Sequence, residues 1–361
     1  MNIALVHDYL NQSGGAERVL KALCDLFPEA PVFTLLYDEK KTGGEFAART
    51  IRTSFLQRIP GALRFHRALA PLMPLAIEKL DLRVYDLIIS SSESFAKGIL
   101  KRPDALHICY CHTPARFLWE SHQEHLTRSR LPFLFKAIAP PFLTYLRVWD
   151  LFASRNVDVF LANSRFIAAR IKKYYRRDSE VVYPPVVIKD FAASYQKKNY
   201  YLLLMRLVPY KRPEIVVEAF NELGLPLLVV GDGPMRRKLA AMAKQNITFL
   251  GAKPHSEVAR YYGEAQALLF PQEEDFGISV LEACASGTPL IAFRAGGAKE
   301  IVREGVNGIF FENQTARDVV DAVRVFQKKQ FDGTIIRKSV EQFDVERFKR
   351  EIMEVVRNAL T

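Results

Sequence analysis

Cysteine is scarce, and long hydrophobic runs and the common nucleotide fingerprints are absent. Four cysteines in 361 residues cannot staple a fold, so a disulfide-built domain is excluded. No stretch approaches 18 uncharged apolar residues, the length a membrane-spanning helix needs. The chain opens on a strand-like run, residues 2–7, and not on a basic-then-apolar leader, so a cytosolic setting is the expectation. Neither G-x-G-x-x-G nor G-x-x-x-x-G-K-[ST] occurs, which removes the dinucleotide fingerprint and the P-loop. What remains is ordinary globular material, 49% hydrophobic and 25% charged, too long for one typical core and suited to two domains. The net charge of +11 is uneven: residues 51–180 hold 21 Lys and Arg against 11 Asp and Glu. Such a face suits an anionic partner, whether membrane surface, nucleic acid or phosphorylated substrate, unless it is only solvated surface.

Short β-rich runs alternate with helical patterns, the signature of βαβ units and parallel sheets. In the first half strands are expected over 2–7, 31–36, 87–90, 105–110, 157–162 and 181–187, with helices over 15–26, 142–153 and 164–174. Residues 190–199 are polar and aperiodic. The pattern then restarts, with strands over 200–205, 227–230, 247–250, 267–270, 290–293 and 308–310. Helices follow over 213–223, 235–244, 256–263, 278–286 and 315–327, and an amphipathic helix closes the chain over 345–360. The domains are therefore 1–190 and 200–344, with a hinge at 191–199 and a closing helix at 345–361. Two doubly wound domains would bind ligands at the carboxyl ends of their strands.

That is where the unusual residues fall. Glu274 precedes Glu282 by eight positions, with Phe276 and Gly277 between them at the start of a helix. The N–H groups of Gly277, Ile278, Ser279 and Val280 would offer an anion site. The two carboxylates could accept hydrogen bonds from sugar or ribose hydroxyls. The bland alternative is a helix start decorated with acids, which its dipole favours. Arg206 and Lys211 follow the first strand of the second half; as fixed cations they could neutralise a leaving diphosphate, or they are surface charge. Gly14 and Gly15 precede a helix and could turn backbone N–H groups toward a phosphate, or form a plain turn. The run Cys109-Tyr-Cys111-His112 has a metal-like spacing but lacks a second ligand pair. Cys109 and Cys111 fit buried strand-end positions, while His112 sits at a strand mouth, where it could bind a hydroxyl, handle a proton or be merely structural. Asp232 reads as part of a tight turn, and Gly296 and Gly297 are as well explained by structure as by function. Arg52, Arg58, Arg64, Arg67 and Lys79 interleave with Phe55, Leu56, Leu63, Phe65, Leu69 and Leu72. Phe133, Phe135, Phe142 and Trp149 lie near Lys136 and Arg147. This pattern suits an anionic membrane surface or cations snorkelling around an ordinary core.

Together these segments resemble glycosyltransferase family 4, the retaining enzymes of the GT-B fold. The run 270–282 is similar to its Glu-x7-Glu motif. Residues 13–17 resemble the Gly-Gly-Ala/Glu loop, where the first domain meets the donor diphosphate. Tyr110-x-His112-x-Pro114-x-Arg116 is similar to a motif of a mannosyltransferase-like branch, in which the histidine faces the transferred sugar. Residues 205–212 resemble Gly-Arg-Leu-x-x-x-Lys-Gly, with Met205 and Arg212 in place of the two glycines and both cations kept. Residues 251–253, including Lys253, resemble the loop that receives the nucleotide base. Residues 296–300 resemble a Gly-Gly-x-x-Glu turn near the sugar.

The resemblance implies two Rossmann-like α/β domains facing across a cleft, the closing helix crossing back to the first. It implies transfer of a hexose from a nucleotide sugar to a hydroxyl, with retention. His112, Arg206, Lys211 and Glu274 would be catalytic. Gly14, Gly15, Arg206, Lys211, Lys253, Phe276, Gly277, Ile278, Ser279, Val280 and Glu282 would hold the donor, with Glu282 on the ribose and Glu274 on the sugar hydroxyls. No metal and no cofactor beyond the donor is implied. The branch favours GDP-mannose as donor and a lipid-linked saccharide of a bacterial surface polysaccharide, such as O-antigen, as acceptor. The first domain would then lie peripherally on the cytoplasmic face of the inner membrane, and nucleic acid is not an expected partner. The alternatives are a UDP-sugar-dependent GT-B enzyme, including an epimerase or phosphorylase, and a non-catalytic protein that binds anionic lipid or nucleic acid.

Overall fold

Two parallel sheets organise the computed structural model, which describes residues 1–120, 133–191 and 196–360. By contact the chain divides into a first unit, Met1–Tyr183 with Phe348–Thr361, and a second, Pro184–Arg347.

The first sheet has β1 (Ile3–His7), β2 (Val32–Thr34), β3 (Ile51–Thr53), β4 (Leu87–Ser92), β5 (Leu106–Cys111), β6 (Val159–Ala162) and β7 (Glu180–Val181). Their order is β3-β2-β1-β4-β5-β6-β7, with every pairing parallel. β4 is buried along its whole length, as expected for a parallel strand covered on both faces. Two expectations change here. β3 is an added edge strand; Ile51-Arg-Thr is short and solvent-facing and carries no periodicity to detect. The strand expected over 181–187 shrinks to Glu180–Val181, because Pro184 and Pro185 bring no N–H to a ladder. The helices that matter are α1 (Gly15–Leu26), α2 (Phe133–Arg155) and α3 (Arg165–Tyr175). α1 buries Val19, Leu20 and Leu23, and α3 is N-capped by Ser164, whose hydroxyl accepts from Ile167 N at 3.1 Å.

The second sheet has β8 (Tyr201–Leu204), β9 (Leu227–Val230), β10 (Ile247–Gly251), β11 (Leu268–Phe270), β12 (Leu290–Phe293) and β13 (Gly308–Phe311), in the order β10-β9-β8-β11-β12-β13 and parallel throughout. Each falls where an apolar run led us to expect it. Helices α4 (Pro213–Leu223), α5 (His255–Glu264), α6 (Ile278–Ala285) and α7 (Ala316–Phe326) flank it. Leu203, Val229, Leu269 and Ile291 of the strands meet Val216, Phe220, Val320 and Val323 of α4 and α7 in one core. Phe191 and residues 196–199 lie inside this unit. Phe191 is buried, and the Arg337 guanidinium donates to the carbonyls of Ile188, Phe191 and Ala285.

The closing helix α8 (Val345–Leu360) buries Phe348, Ile352, Val355 and Val356. This is the i, i+4, i+7, i+8 stripe of an amphipathic helix. From Phe348 onward it belongs to the first unit, where Phe348 packs edge-on to Tyr110 at 5.8 Å.

Candidate active site

In the second unit the chain leaves the neighbouring strands β8 and β11 toward opposite edges of the sheet. This is the switch point where doubly wound sheets open a crevice at their carboxyl ends. Lys211 ends the short turn after β8, and Glu274 lies in the loop after β11. Their side chains meet there, Lys211 Nζ to Glu274 Oε1 at 2.7 Å, with 18% and 19% of their side-chain surface exposed. Partial burial makes such a pair firmer than a surface one, because water screens it less. Arg206 is exposed and donates to the Tyr210 hydroxyl at 3.1 Å; the Tyr210 ring in turn lies 5.9 Å from Lys211 Nζ. The three groups thus form one cationic cluster on the loop after β8.

Arg212 shows why the family pattern places glycine after the lysine. Its φ is 55°, a left-handed conformation that costs a non-glycine residue about 1–2 kcal/mol. Its guanidinium is held by Glu214 at 2.8 Å and by the Gln314 carbonyl at 3.3 Å. Gln314 also donates to the Pro271 carbonyl at 2.8 Å, so the loop after β13 ties the loops after β8 and β11 together.

The loop that carries Glu274 is fixed by the Gly296-Gly297 turn. A Cβ on Gly296 would stand 2.2 Å from the Glu274 carbonyl oxygen, and one on Gly297 would stand 2.3 Å from Phe276 Cα. Gly297 N donates to Glu274 O at 2.9 Å. Gly277 N-caps α6 at φ 102°, a conformation open to glycine. The anion site expected there is smaller than anticipated. Val280 N donates to Gly277 O at 3.0 Å and its side chain is buried, so its N–H is already spent; Ile278 and Ser279, both half-buried, precede the first helical bond. The Phe276 side chain is buried against Phe343 at 5.7 Å, which leaves only its backbone for a ligand. Glu282, buried on α6, accepts from the Tyr262 hydroxyl of α5 at 3.1 Å. Lys253, half-buried after β10, pairs with Glu257 at 3.5 Å. Asp232 closes its own turn by accepting from Gly233 N at 2.7 Å and pairing with Arg236 at 2.9 Å.

In the first unit Gly14 N-caps α1 and Gly15 begins it. A Cβ on Gly14 would stand 3.0 Å from Glu17 Oε2, so glycine leaves room for that carboxylate to turn inward. The side chains of His7, Glu17, Ser91 and His112 are all buried. His7 and Ser91 are register partners on β1 and β4, and His7 Nδ1 lies 3.1 Å from Ser91 Oγ. Ser91 Oγ lies 2.8 Å from His112 Nε2, and His7 Nε2 lies 3.8 Å from Glu17 Oε1. Asn163 donates to the His112 carbonyl at 2.9 Å. Burial lowers the pKa of His7, but the Glu17 hydrogen bond and charge, with Asp8 and Glu93, outweigh it and the net shift is upward. Burial, then the charge of His7, push His112 down to about 3, so its ring is neutral near pH 7. Beside this row, Asp8 accepts four backbone N–H groups, from Glu93, Ser94, Phe95 and Ala96, at 2.6–2.9 Å. Strand alternation undoes the metal-like spacing. Cys109 and Cys111 point into a core with Phe160 and Ile167, while His112 turns to Ser91. Burial lifts the Cys109 thiol to about 12.

His7, Asp8, Glu17 and Ser91 were not among the expected site residues. The available signal was Ser90-Ser91-Ser92 closing a strand that is otherwise apolar, beside the His7-Asp8 strand end.

The basic, aromatic face survives in part. Phe65, Leu72 and Leu75 are exposed beside exposed Arg64 and Arg67. Leu56 is fully buried, and Leu63 and Leu69 pack against the core. Trp149 turns inward, donating to Glu78 at 2.6 Å and lying 5.6 Å from the Phe95 ring. Phe133, Phe135 and Lys136 have side chains outside the described residues. Among the described residues no helix is long and apolar enough to cross a membrane.

The comparisons with known proteins agree with this architecture. The model of Glycosyltransferase Family 4 matches residues 13–189, and that of Glycosyl transferases group 1 matches residues 187–344. Together the two models span residues 13–344, so the chain carries the two glycosyltransferase domains in the GT-B fold. It is 28% identical over 177 residues to an uncharacterized glycosyltransferase of Methanocaldococcus jannaschii, MJ1178, covering 48% of this chain and 50% of that one. It is 37% identical over 117 residues to a GDP-mannose-dependent alpha-mannosyltransferase of Corynebacterium glutamicum, covering 32% and 27%. The chain thus spans about half, or less, of the length of the curated relatives it matches. Among solved structures, Anabaena Alr3699/HepE in complex with UDP superposes with a TM-score of 0.73 at 18% identity, over 99% of this chain and 100% of the other; this likeness concerns the fold alone.

Proposed function

We propose that the protein is a retaining hexosyltransferase that moves mannose from GDP-mannose to a hydroxyl of a lipid-linked saccharide. The observation that carries this reading is the Lys211–Glu274 pair, held at 2.7 Å beside the switch point of the second sheet. On this reading Lys211 and Arg206 take the donor diphosphate and neutralise the charge that builds as it leaves, the part a divalent ion plays elsewhere. The reaction is metal-independent. Backbone N–H groups at the start of α6 add to this field, and those at the start of α1 are the first unit's own anion donors. Glu282 holds the ribose, Glu274 the sugar hydroxyls, and Lys253 lies toward the base. His112, neutral near pH 7, orients the sugar by hydrogen bonding. The leaving phosphate accepts the acceptor's proton on the face it departs from, which retains the anomeric configuration.

The similarity to a GDP-mannose-dependent enzyme supports GDP-mannose. A UDP-sugar is the second reading, favoured by the fold shared with a UDP-bound protein. Exposed Phe65, Leu72 and Leu75 beside Arg64 and Arg67 support a peripheral site on the cytoplasmic face of the membrane, within surface-polysaccharide synthesis. The test is a transfer assay with GDP-mannose and UDP-hexoses that follows nucleoside diphosphate release. Arg206→Ala or Lys211→Ala should lower turnover about 10²-fold or more, as for loss of a preorganised electrostatic group. A loss below tenfold in both would remove them from the mechanism.

A further inference from the structure

The buried row Glu17–His7–Ser91–His112 is more than packing. Three strands and one helix contribute to it: His7 ends β1, Ser91 lies on β4, His112 follows β5 and Glu17 is in the first turn of α1. Buried polar groups cost free energy unless they are paired, and each link here is a side chain meeting a side chain. The row also has a direction. Ser91 Oγ stands between two imidazoles, 3.1 Å from His7 Nδ1 and 2.8 Å from His112 Nε2. A hydroxyl donates one proton and accepts others. The protonation of His7 therefore decides which way the hydroxyl points.

When His7 is an imidazolium, both its nitrogens donate. Nδ1–H donates to Ser91 Oγ, Ser91 O–H must then donate to His112 Nε2, and a neutral His112 carries its proton on Nδ1. When His7 is neutral with its proton on Nε2, toward Glu17, Nδ1 accepts from Ser91 O–H. Ser91 Oγ can then accept from His112 Nε2–H, and His112 Nδ1 becomes an acceptor. Nε2 of His112 is committed to Ser91 in both states, so Nδ1 is the nitrogen left for a ligand.

We propose that Glu17, His7 and Ser91 are positioning residues that set the tautomer of His112, presenting Nδ1 as a donor while His7 is charged and as an acceptor once His7 is neutral. The groups facing His7 are Glu17 on α1, Asp8 just after β1, Glu93 just after β4 and His112 after β5. Three are acidic, which favours the charged ring and with it the donor state. A donor suits a sugar hydroxyl oxygen or ring oxygen. The consequence for sugar orientation rests on the proposed function, but the tautomer itself does not.

The test is ring-15N NMR of the full-length protein, without any donor, across pH 5.5–9. His112 is assigned by loss of its signals in His112→Asn. At low pH His112 should show a protonated Nδ1 and an unprotonated Nε2, and its tautomer should exchange at the pH where His7 titrates. Glu17→Gln should lower that midpoint by about one pH unit or more, the effect of losing a nearby opposite charge. Ser91→Ala should uncouple His112 from His7, and Ser91→Thr, which keeps the hydroxyl, should restore the coupling. If Ser91→Ala does not fold, the Glu17→Gln shift decides alone. A His112 tautomer that is constant with pH, or one that ignores both Glu17→Gln and Ser91→Ala, would overturn the proposal. In the transfer assay, the same uncoupling in Ser91→Ala should change the pH profile of kcat, with Ser91→Thr restoring it. An inactive protein whose tautomer still switches would count against the proposed reaction and not against the relay.

Discussion

The two units hold their candidate residues by opposite means. In the first unit the polar groups are buried and wired side chain to side chain: Asp8 holds four N–H groups, and Glu17, His7, Ser91 and His112 form a row. In the second unit the charges sit at or near the surface, and glycine turns hold the backbone that aims them. Arg206 is exposed, Lys211 and Glu274 are partly exposed, and Gly296-Gly297 wedge the acidic loop. Buried polar networks resist change, because breaking one leaves desolvated partners behind. Exposed cations on fixed loops can exchange their protein partners for a ligand. One half is therefore expected to fail through stability and the other through activity.

The largest effect expected from this contrast is Asp8→Ala. It leaves four N–H groups at 93–96 without their acceptor and should cost roughly 3–5 kcal/mol, read by denaturant unfolding. Lys211→Ala should stay within about 1 kcal/mol of wild type in the same assay, since the pair it breaks is partly solvated. Equal losses in the two variants would erase the distinction between the halves.

A second expectation concerns pH. Burial lowers His112 to about 3 and His107 to about 4. The unfolded chain takes up protons at both positions below about pH 6.5, while the folded protein does not until near those lower values. Stability should therefore fall as pH drops from 6.5 toward 4, by about 1.4 kcal/mol per unit for each group. His7, shifted upward, contributes fully below pH 6.5 and cannot offset this slope; its contribution fades only as pH rises through its folded value. His107→Gln should remove about half of the slope. An unchanged slope would show that other groups set the acid limit.

The smallest effect belongs to the basic face. Phe65→Ser with Leu72→Ser should weaken co-sedimentation with anionic vesicles several-fold, by loss of buried apolar area, and leave nucleotide binding unchanged. Equal sedimentation would sink the membrane role.

The second sheet was legible in the chain because its strands, apart from Thr248 in β10, are apolar runs. Lys211 and Glu274 were legible because local motifs at strand ends carry them. The relay was not, since His7, Ser91 and His112 are far apart in sequence and meet only through the parallel register of β1, β4 and β5. Phe276, Val280, Leu56 and Trp149 were misjudged for a related reason. Residue type marked them as surface or ligand groups, and their packing or backbone bonding is set by partners such as Phe343, Gly277 and Phe95.

The most direct measurement is calorimetric titration of GDP and UDP into the metal-free wild-type protein and into Lys211→Ala. One nucleotide should bind the wild type, and the variant should bind it about tenfold more weakly or worse, a loss of about 1.4 kcal/mol. Binding of neither nucleotide, or equal affinity in the two proteins, would contradict a donor site at the Lys211–Glu274 pair.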